Sequence, residues 1–225
     1  DEISRKRIVG VFGDLGLGYK DYLFLNATAR NDWSSTLPKT DNSFLYPSVS
    51  SSFIFTEAFG LKNDIISFGK IRGGNKIFSV GTVYAGQPSV FVPTTLGNPS
   101  LSPENTEEFE VGLDLELFNN RAILDFTWYK KTTTDLISEV NVPTSSGYTS
   151  FLTNIGEMEN TGIEIGLTLI PIRTENFRWS TFTSFTKNDN VVNELIEGLD
   201  RFPLNVNEIA FVDEGEPFGV FYGTA

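Results

Sequence analysis

Residues 108 to 131 read EFEVGLDLELFNNRAILDFTWYKK. Every second residue from Phe109 is apolar: Phe109, Val111, Leu113, Leu115 and Leu117. Glu108, Glu110, Gly112, Asp114 and Glu116 alternate with them. A period of two marks a strand with one apolar face and one wet face. Asn119-Asn120 follows, and asparagine tolerates left-handed backbone, so a two-residue hairpin turn is predicted with Phe118 facing Arg121. The returning strand, 121 to 131, puts Ala122, Leu124, Phe126 and Trp128 on one face. Counting outward from the turn pairs Leu117 with Ala122, Leu115 with Leu124, Leu113 with Phe126 and Val111 with Trp128. The other face pairs Glu116 with Ile123, Asp114 with Asp125, Gly112 with Thr127, Glu110 with Tyr129 and Glu108 with Lys131. A slip of one residue would set the acids against the apolar row, so the pattern fixes the register. Like charges directly opposite destabilise a sheet, so Asp114 and Asp125 require water, a cation or a nearby arginine.

The same alternation recurs outward from this hairpin. In 22 to 30, Leu23, Leu25, Ala27 and Ala29 oppose Tyr22, Phe24, Asn26, Thr28 and Arg30. Residues 48 to 56 read as a strand of serines and aromatics. Residues 65 to 81 are strand-like, interrupted by Gly69, Gly73 and Gly74. In 161 to 170, Ile163, Ile165, Leu167 and Leu169 oppose Gly162, Glu164, Gly166 and Thr168; residues 177 to 187 follow as a partner. Only 191 to 199, VVNELIEGL, carries a helical spacing, and two helical turns are predicted there.

Two all-β architectures use this pattern. In an antiparallel transmembrane β-barrel the apolar face meets lipid and the polar face meets the lumen. In a soluble β-sandwich the apolar faces of two sheets bury each other. Strands of about ten residues suit a tilted bilayer crossing. Trp128-Tyr129, and Phe177 with Trp179, would suit an interfacial girdle. Residues 83 to 105 and 138 to 154 are long turn-rich connectors, unusual in compact soluble domains but ordinary on the outer side of a membrane barrel. On the barrel reading both connectors lie outside the cell, and Glu108, Glu110, Asp114, Glu116 and Glu164 point into the lumen, because a carboxylate facing hydrocarbon is costly.

Composition narrows the chemistry. The 225 residues include no Cys and no His. Disulfides, thiolate metal sites, histidine acid–base work and His-based zinc sites are therefore excluded within this sequence. The net charge is -12, and no basic patch suits nucleic acid. Residues 1 to 82 are close to neutral, so the acidic excess lies in residues 83 to 225. That excess fits either a solvated acidic face or a wet acidic cavity that disfavours anions. No run of 18 apolar residues provides a membrane helix. Asp1-Glu2-Ile3-Ser4-Arg5 is not a signal peptide, as it would also not be in a processed chain or a fragment.

Three places invite a chemical reading. Gly10, Gly13, Gly16 and Gly18 form a glycine-rich stretch, but no Lys-Ser/Thr and no helix follow, so glycines relieving crowding in a strand are the better account. Glu157 and Glu159 read as a solvated loop pair rather than glycosidase carboxylates. Asp213, Glu214 and Glu216 lack the spacing of a calcium loop and read as surface acids. No catalytic, cofactor-binding or metal-ligating residue is assigned.

An ordered set of motifs resembles the barrel region of SusC/RagA-type TonB-dependent outer-membrane receptors. It begins in the stretch 22 to 52 with Arg30, Asp32, Ser34, Ser35 and Tyr46-Pro47-Ser48-Val49-Ser50. Phe68-Gly69-Lys70-Ile71-Arg72 looks like the family's next signature strand. The connector Asn98-Pro99-Ser100-Leu101-Ser102-Pro103-Glu104-Asn105-Thr106 leads into Glu110-Val111-Gly112-Leu113-Asp114. Phe126-Thr127-Trp128-Tyr129-Lys130, Thr134-Asp135-Leu136-Ile137, Asn154-Ile155-Gly156 and Asn160-Thr161-Gly162-Ile163-Glu164 continue it. Gly215-Glu216-Pro217-Phe218-Gly219 with Phe221-Tyr222-Gly223 closes it.

The resemblance implies a plugged barrel of about 22 strands in the bacterial outer membrane. It implies uptake of a large nutrient, a glycan or peptide, without bond chemistry. The implied partners are TonB, a SusD-like surface lipoprotein that lids the mouth, and the lipid bilayer. Residues 1–225 then supply part of the barrel from its C-terminal half, with the plug domain and remaining strands outside them. Tyr222-Gly223-Thr224-Ala225 does not read as a closing strand.

Overall fold

The computed structural model describes residues 7–35, 43–80, 95–96, 98, 100–196, 198–199, 201–204 and 210–222. In chain order the elements are β1 (Ile8–Tyr19), β2 (Leu23–Ser34), β3 (Ser43–Phe53), a one-turn helix α1 (Phe55–Ala58), β4 (Ile66–Val80) and β5 (Thr95–Leu96). Then come β6 (Glu104–Leu117), β7 (Ala122–Thr134), β8 (Ile137–Asn141), a 3-10 turn (Thr144–Ser146), β9 (Ser150–Asn154), β10 (Gly156–Arg173) and β11 (Arg178–Leu195). Three short strands end the series: β12 (Arg201–Pro203), β13 (Ala210–Asp213) and β14 (Val220–Phe221).

Eight long strands form one antiparallel sheet in the order β1-β2-β3-β4-β6-β7-β10-β11. The predicted β6–β7 register holds throughout, from Leu117 opposite Ala122 to Glu108 opposite Lys131. The turn differs. Phe118, Asn119 and Asn120 all take positive φ, 56°, 54° and 63°, and Arg121 N donates to Leu117 O at 2.9 Å. The connection is therefore the four residues 118–121, not two. Phe118 leaves the ladder because its N–H donates to Ile65 O at 2.8 Å. Asn tolerates the left-handed region that bulky Phe118 disfavours, and that cross-strand bond helps hold Phe118 there.

Reading the register across all strands assigns the two faces. One face carries Val11, Leu15, Leu17, Leu25, Ala27, Val49, Ile71, Val111, Leu113, Phe126, Ile165 and Leu167 in neighbouring rows. The other carries Asn26, Thr28, Ser48, Ser50, Arg72, Glu110, Asp114, Asp125 and Glu164. Among the described residues no second sheet covers the apolar face: Val11 is 62% exposed, Leu15 57% and Phe185 53%. The sandwich alternative is overturned, since it requires that face to be buried.

Two further expectations are corrected. Residues 191–195 continue β11 rather than forming a helix. Val192 N donates to Glu216 O (3.0 Å) and Gly215 N to Val192 O (2.8 Å), so this stretch gains a strand-like partner on its far edge. Residues 138 to 154 are not an unstructured connector: β8 and β9 pair within them, and β9 also pairs in parallel with β5. The glycines of 65 to 81 do not break β4, whose single irregularity lies between Ile66 and Phe68. Gly10, Gly13, Gly16 and Gly18 all lie within β1, as the strand reading expects.

The packed core is not beneath the sheet. Ile155, Val192, Leu195, Phe202 and Val212 form one buried cluster at the end of the sheet where β8, β9 and β12–β14 gather. Leu136, Val140, Leu199 and Phe218 pack around it.

Candidate functional site

The ends of the sheet are unequal. At one end the strands are joined by residues 20–22, 118–121 and 174–177, and by the 54–65 segment with α1. The β2–β3, β4–β6 and β7–β10 connections leave from the opposite end, as does the chain beyond β11. Of the predicted loop 83 to 105, residues 83–94, 97 and 99 lie outside the described set. Short turns on the periplasmic side and long connections outside are the rule for outer-membrane barrels.

The apolar face has the dimensions of a bilayer band. Along β2 it runs from Leu23 to Trp33. Ten residues of strand tilted by about 40° rise roughly 25 Å, the height of such a band. Aromatics mark both limits. At the short-turn end Tyr19, Tyr22, Phe53 and Phe59 form a chain of edge contacts with centroids 5.6–5.9 Å apart. Toward the other end Phe109 stacks edge-on against Trp128 at 6.2 Å. Just beyond them on the same face stand ion pairs, Lys130–Glu159 at 2.8 Å and Lys187–Asp189 at 2.6 Å. Charges at that level meet headgroups and water rather than hydrocarbon.

The polar face is organised around Arg72. Its guanidinium lies 3.3 Å from Asp114, 3.4 Å from Asp125 and 3.7 Å from Glu110, and donates to Thr127 Oγ1 at 2.7 Å. This arginine answers the opposed Asp114–Asp125 pair. Gly112 permits it, because a Cβ there would sit 2.6 Å from the guanidinium carbon. Lys70 pairs with Asp114 at 2.5 Å and Lys76 with Glu108 at 2.7 Å. A basic stripe on β4 thus faces an acidic stripe on β6, each neutralising the other. Arg30 and Asp32, from the Arg-x-Asp motif, pair with each other at 2.8 Å. A cavity of about 610 Å³ opens on this face over β1–β4.

At the long-connection end the motif residues act as staples. Asn154 Nδ2 donates to Ser102 O (2.9 Å) and Asp135 O (2.7 Å), while Ser102 N donates to Asn154 Oδ1 (2.9 Å). Glu104 Oε1 accepts from Ile137 N at 2.7 Å. Gly156 has φ +144°, and a Cβ there would meet Glu194 O at 1.9 Å, so β10 starts where only glycine fits. Farther along, Arg201 grips Asp213 through two bonds of 2.7 Å and lies over the Tyr222 ring at 4.2 Å. Tyr222 hydroxyl donates to the same carboxylate. Arg201 holds the Asp213 carboxyl below its usual range, and the carboxylate in turn raises Tyr222.

The acids singled out in the sequence are placed differently than expected. Glu157 and Glu159 lie in β10, not a loop: Glu157 accepts from Asn193 at 2.8 Å and Glu159 pairs with Lys130. Asp213 is buried rather than a surface acid. Arg201 and Thr56 escaped the sequence reading, and so did the contacts of Asp213, Tyr222 and Asn154, because each bond joins different elements of the fold.

A membrane-spanning sheet with a charge-paired polar wall and a folded rim defines the wall of an outer-membrane barrel. A family model described as "TonB dependent receptor-like, beta-barrel" matches residues 1–220, and the chain belongs to that family of the bacterial outer membrane. It is 30% identical over 244 residues to TonB-dependent receptor P3 of Formosa agariphila, covering 98% of this chain and 24% of that protein. It is 28% identical over 220 residues to TonB-dependent receptor SusC of Bacteroides thetaiotaomicron, covering 88% and 22%. The RagAB peptide transporter structure superposes with TM-score 0.85 at 25% identity, covering 96% of this chain and 25% of that one. The siderophore receptor PirA of Pseudomonas aeruginosa shares the fold, with TM-score 0.58 at 16% identity, covering 82% and 35%. The chain therefore spans about a quarter of the length of its curated relatives.

Proposed function

We propose that this chain is one part of the lumen wall of a receptor that imports a large nutrient, a glycan or peptide, across the outer membrane. In this reading a plug domain and further strands from the rest of the receptor complete the barrel. TonB supplies the energy through those regions, and a SusD-like lipoprotein lids the mouth formed by the β8–β9 and β12–β14 rim. The work is transport, not bond chemistry. The observation that carries the reading is the superposition of the fold on the RagAB structure with the sequence match to SusC, together with the two-faced register. Deleting the full-length gene should abolish growth on the receptor's nutrient as sole source, and deleting tonB should do the same. Unchanged growth on every glycan and peptide mixture tried, in a strain lacking redundant receptors, would refute it.

A further inference from the structure

A second pair of like charges faces itself at the short-turn end of the sheet. Arg173 stands directly opposite Arg178, the last pair of β10 and β11 before their turn. The turn holds them there: Thr174 N donates to Phe177 O at 2.8 Å, and the Thr174 hydroxyl accepts from Phe177 N at 3.0 Å. Like charges directly opposite destabilise a sheet. Asp114 and Asp125 are answered by Arg72. Neither Arg173 nor Arg178 meets a carboxylate among the described residues, and Glu175 in the same turn pairs with neither. Arg121, exposed on the adjacent β6–β7 turn, also meets no acid among them. Its carbonyl accepts from Ile170 N at 2.7 Å, which brings the two turns together. On the long strands, by contrast, Lys70, Arg72, Lys76, Lys130 and Lys187 are each ion-paired.

The register fixes the depth of these turns. One row of paired residues runs from Leu23 through Ile71 and Phe126 to Phe185. Leu23 adjoins its turn, Phe126 lies farther from 118–121, and Phe185 lies farther still from 174–177. Strands tilted by about 40° produce that stepping, so the short turns share one depth, the periplasmic limit of the bilayer. Phe177 and Trp179, on either side of Arg178, continue the lipid-facing parity of Phe185, and both are exposed.

We infer that this hairpin holds an anionic phospholipid of the periplasmic leaflet, its phosphate bridging Arg173 and Arg178 with Arg121 beside them. The planar fork of arginine takes two oxygens of one phosphate, so a shared phosphate turns the repulsion into a bridge. Both arginines have the parity of the polar face, but they form the last rung of the wall. Their long stems carry the guanidiniums round that limit to the headgroup layer. Phe177 and Trp179 meet the glycerol and acyl region of the same lipid. Three arginines beside one glutamate favour a lipid of net negative charge over a zwitterionic one, whose own ammonium adds to the excess.

The test uses the full-length receptor in vesicles of phosphatidylcholine alone, or of phosphatidylcholine with phosphatidylglycerol. In phosphatidylcholine, Arg173→Gln or Arg178→Gln should raise the urea midpoint of unfolding, because the opposed charges have no counter-ion there. In the mixed vesicles each should lower it, because a bridged phosphate is lost. Native mass spectrometry of the receptor taken from the mixed vesicles should show several-fold less retained phosphatidylglycerol on the double variant than on the parent. Midpoint shifts of the same sign in both kinds of vesicle overturn the inference; a lowered midpoint in phosphatidylcholine would mean that a carboxylate elsewhere in the receptor already answers the arginines. Equal lipid retention by parent and double variant overturns it too. If a glutamine variant fails to assemble, Arg178→Lys, which keeps the charge without the fork, takes its place, and undiminished retention by it counts against the bridge.

Discussion

Replacing Arg72 by methionine removes the one cation shared by Asp114, Asp125 and Glu110. Asp114, with a side chain 19% exposed, keeps Lys70, whereas Asp125, 57% exposed, keeps no cation among the described residues. A buried pair broken on one side costs about 3–5 kcal/mol and an exposed one about 0–1. This half-exposed hub falls between them, so Arg72→Met should cost the assembled barrel about 2 kcal/mol. The repulsion it uncovers can be isolated. Two carboxylates about 5 Å apart in a water-filled lumen repel by roughly 0.8 kcal/mol. Asp125→Asn should therefore stabilise the Arg72→Met receptor by about that amount, while slightly destabilising the parent. The assay is urea unfolding of the full-length receptor in vesicles, followed by heat-dependent gel mobility, as a double-mutant cycle at low and high salt. The coupling should shrink with salt. Additive effects, with Asp125→Asn equally harmful on both backgrounds, would refute the role given to Arg72.

Thr56 is fully buried and bonds Gly69 through both its backbone groups, at 3.1 and 3.3 Å. Thr56→Val should cost about 2–4 kcal/mol in the same unfolding assay by leaving two backbone groups unpaired, and Thr56→Ser should recover most of it. Leu115→Arg, on the lipid face, should cost about 2–4 kcal/mol, whereas Glu116→Arg, one residue away in the lumen, should leave assembly near normal. Asp213 has a folded pKa below its unfolded value of about 3.9. Its stabilisation of the rim is complete above the unfolded value and is lost as pH falls through the folded one. Hydrogen exchange of residues 210–222 should therefore accelerate on acidification below about pH 4, and Asp213→Asn should remove that pH dependence.

The strands were legible where a residue's neighbours along the chain also determined its surroundings. In β6 and β7 the lipid and the lumen impose strict alternation, so even the pairing of Asp114 with Asp125 could be counted from the turn. Residues 191–195 misled because Val191, Val192 and Leu195 have a helical spacing. Val192 and Leu195 are instead buried in the rim cluster with Phe202 and Val212, and Gly215–Glu216 pairs along the edge at Val192. The rim as a whole was hidden for the same reason: β9 pairs in parallel with β5, roughly fifty residues earlier. Arg72 was half legible. The opposed aspartates called for a cation, but only the β4–β6 register shows which one supplies it.

The location of the core argues that the unit of stability is larger than these strands. Of the eight buried hydrophobic residues among those described, five belong to the rim cluster, and away from it the large sheet buries only Phe44 and Ile170. In water its apolar face would be a large exposed patch of the kind that drives association. In a bilayer the same face needs no protein partner, because lipid chains are as apolar as its leucines. Backbone edges are different. β1 and β11 flank the sheet, and an unpaired N–H or C=O in hydrocarbon costs several kcal/mol. Among the described residues only the upper end of β11 is sealed, by Gly215 and Glu216. The rest of both edges must be closed by neighbouring strands before the sheet is stable in lipid. Folding of the rim onto β11 and closure of the barrel are therefore coupled events: the rim cluster fixes the outer end of the last strand, and the strands beside β1 and β11 supply the hydrogen bonds that lipid cannot.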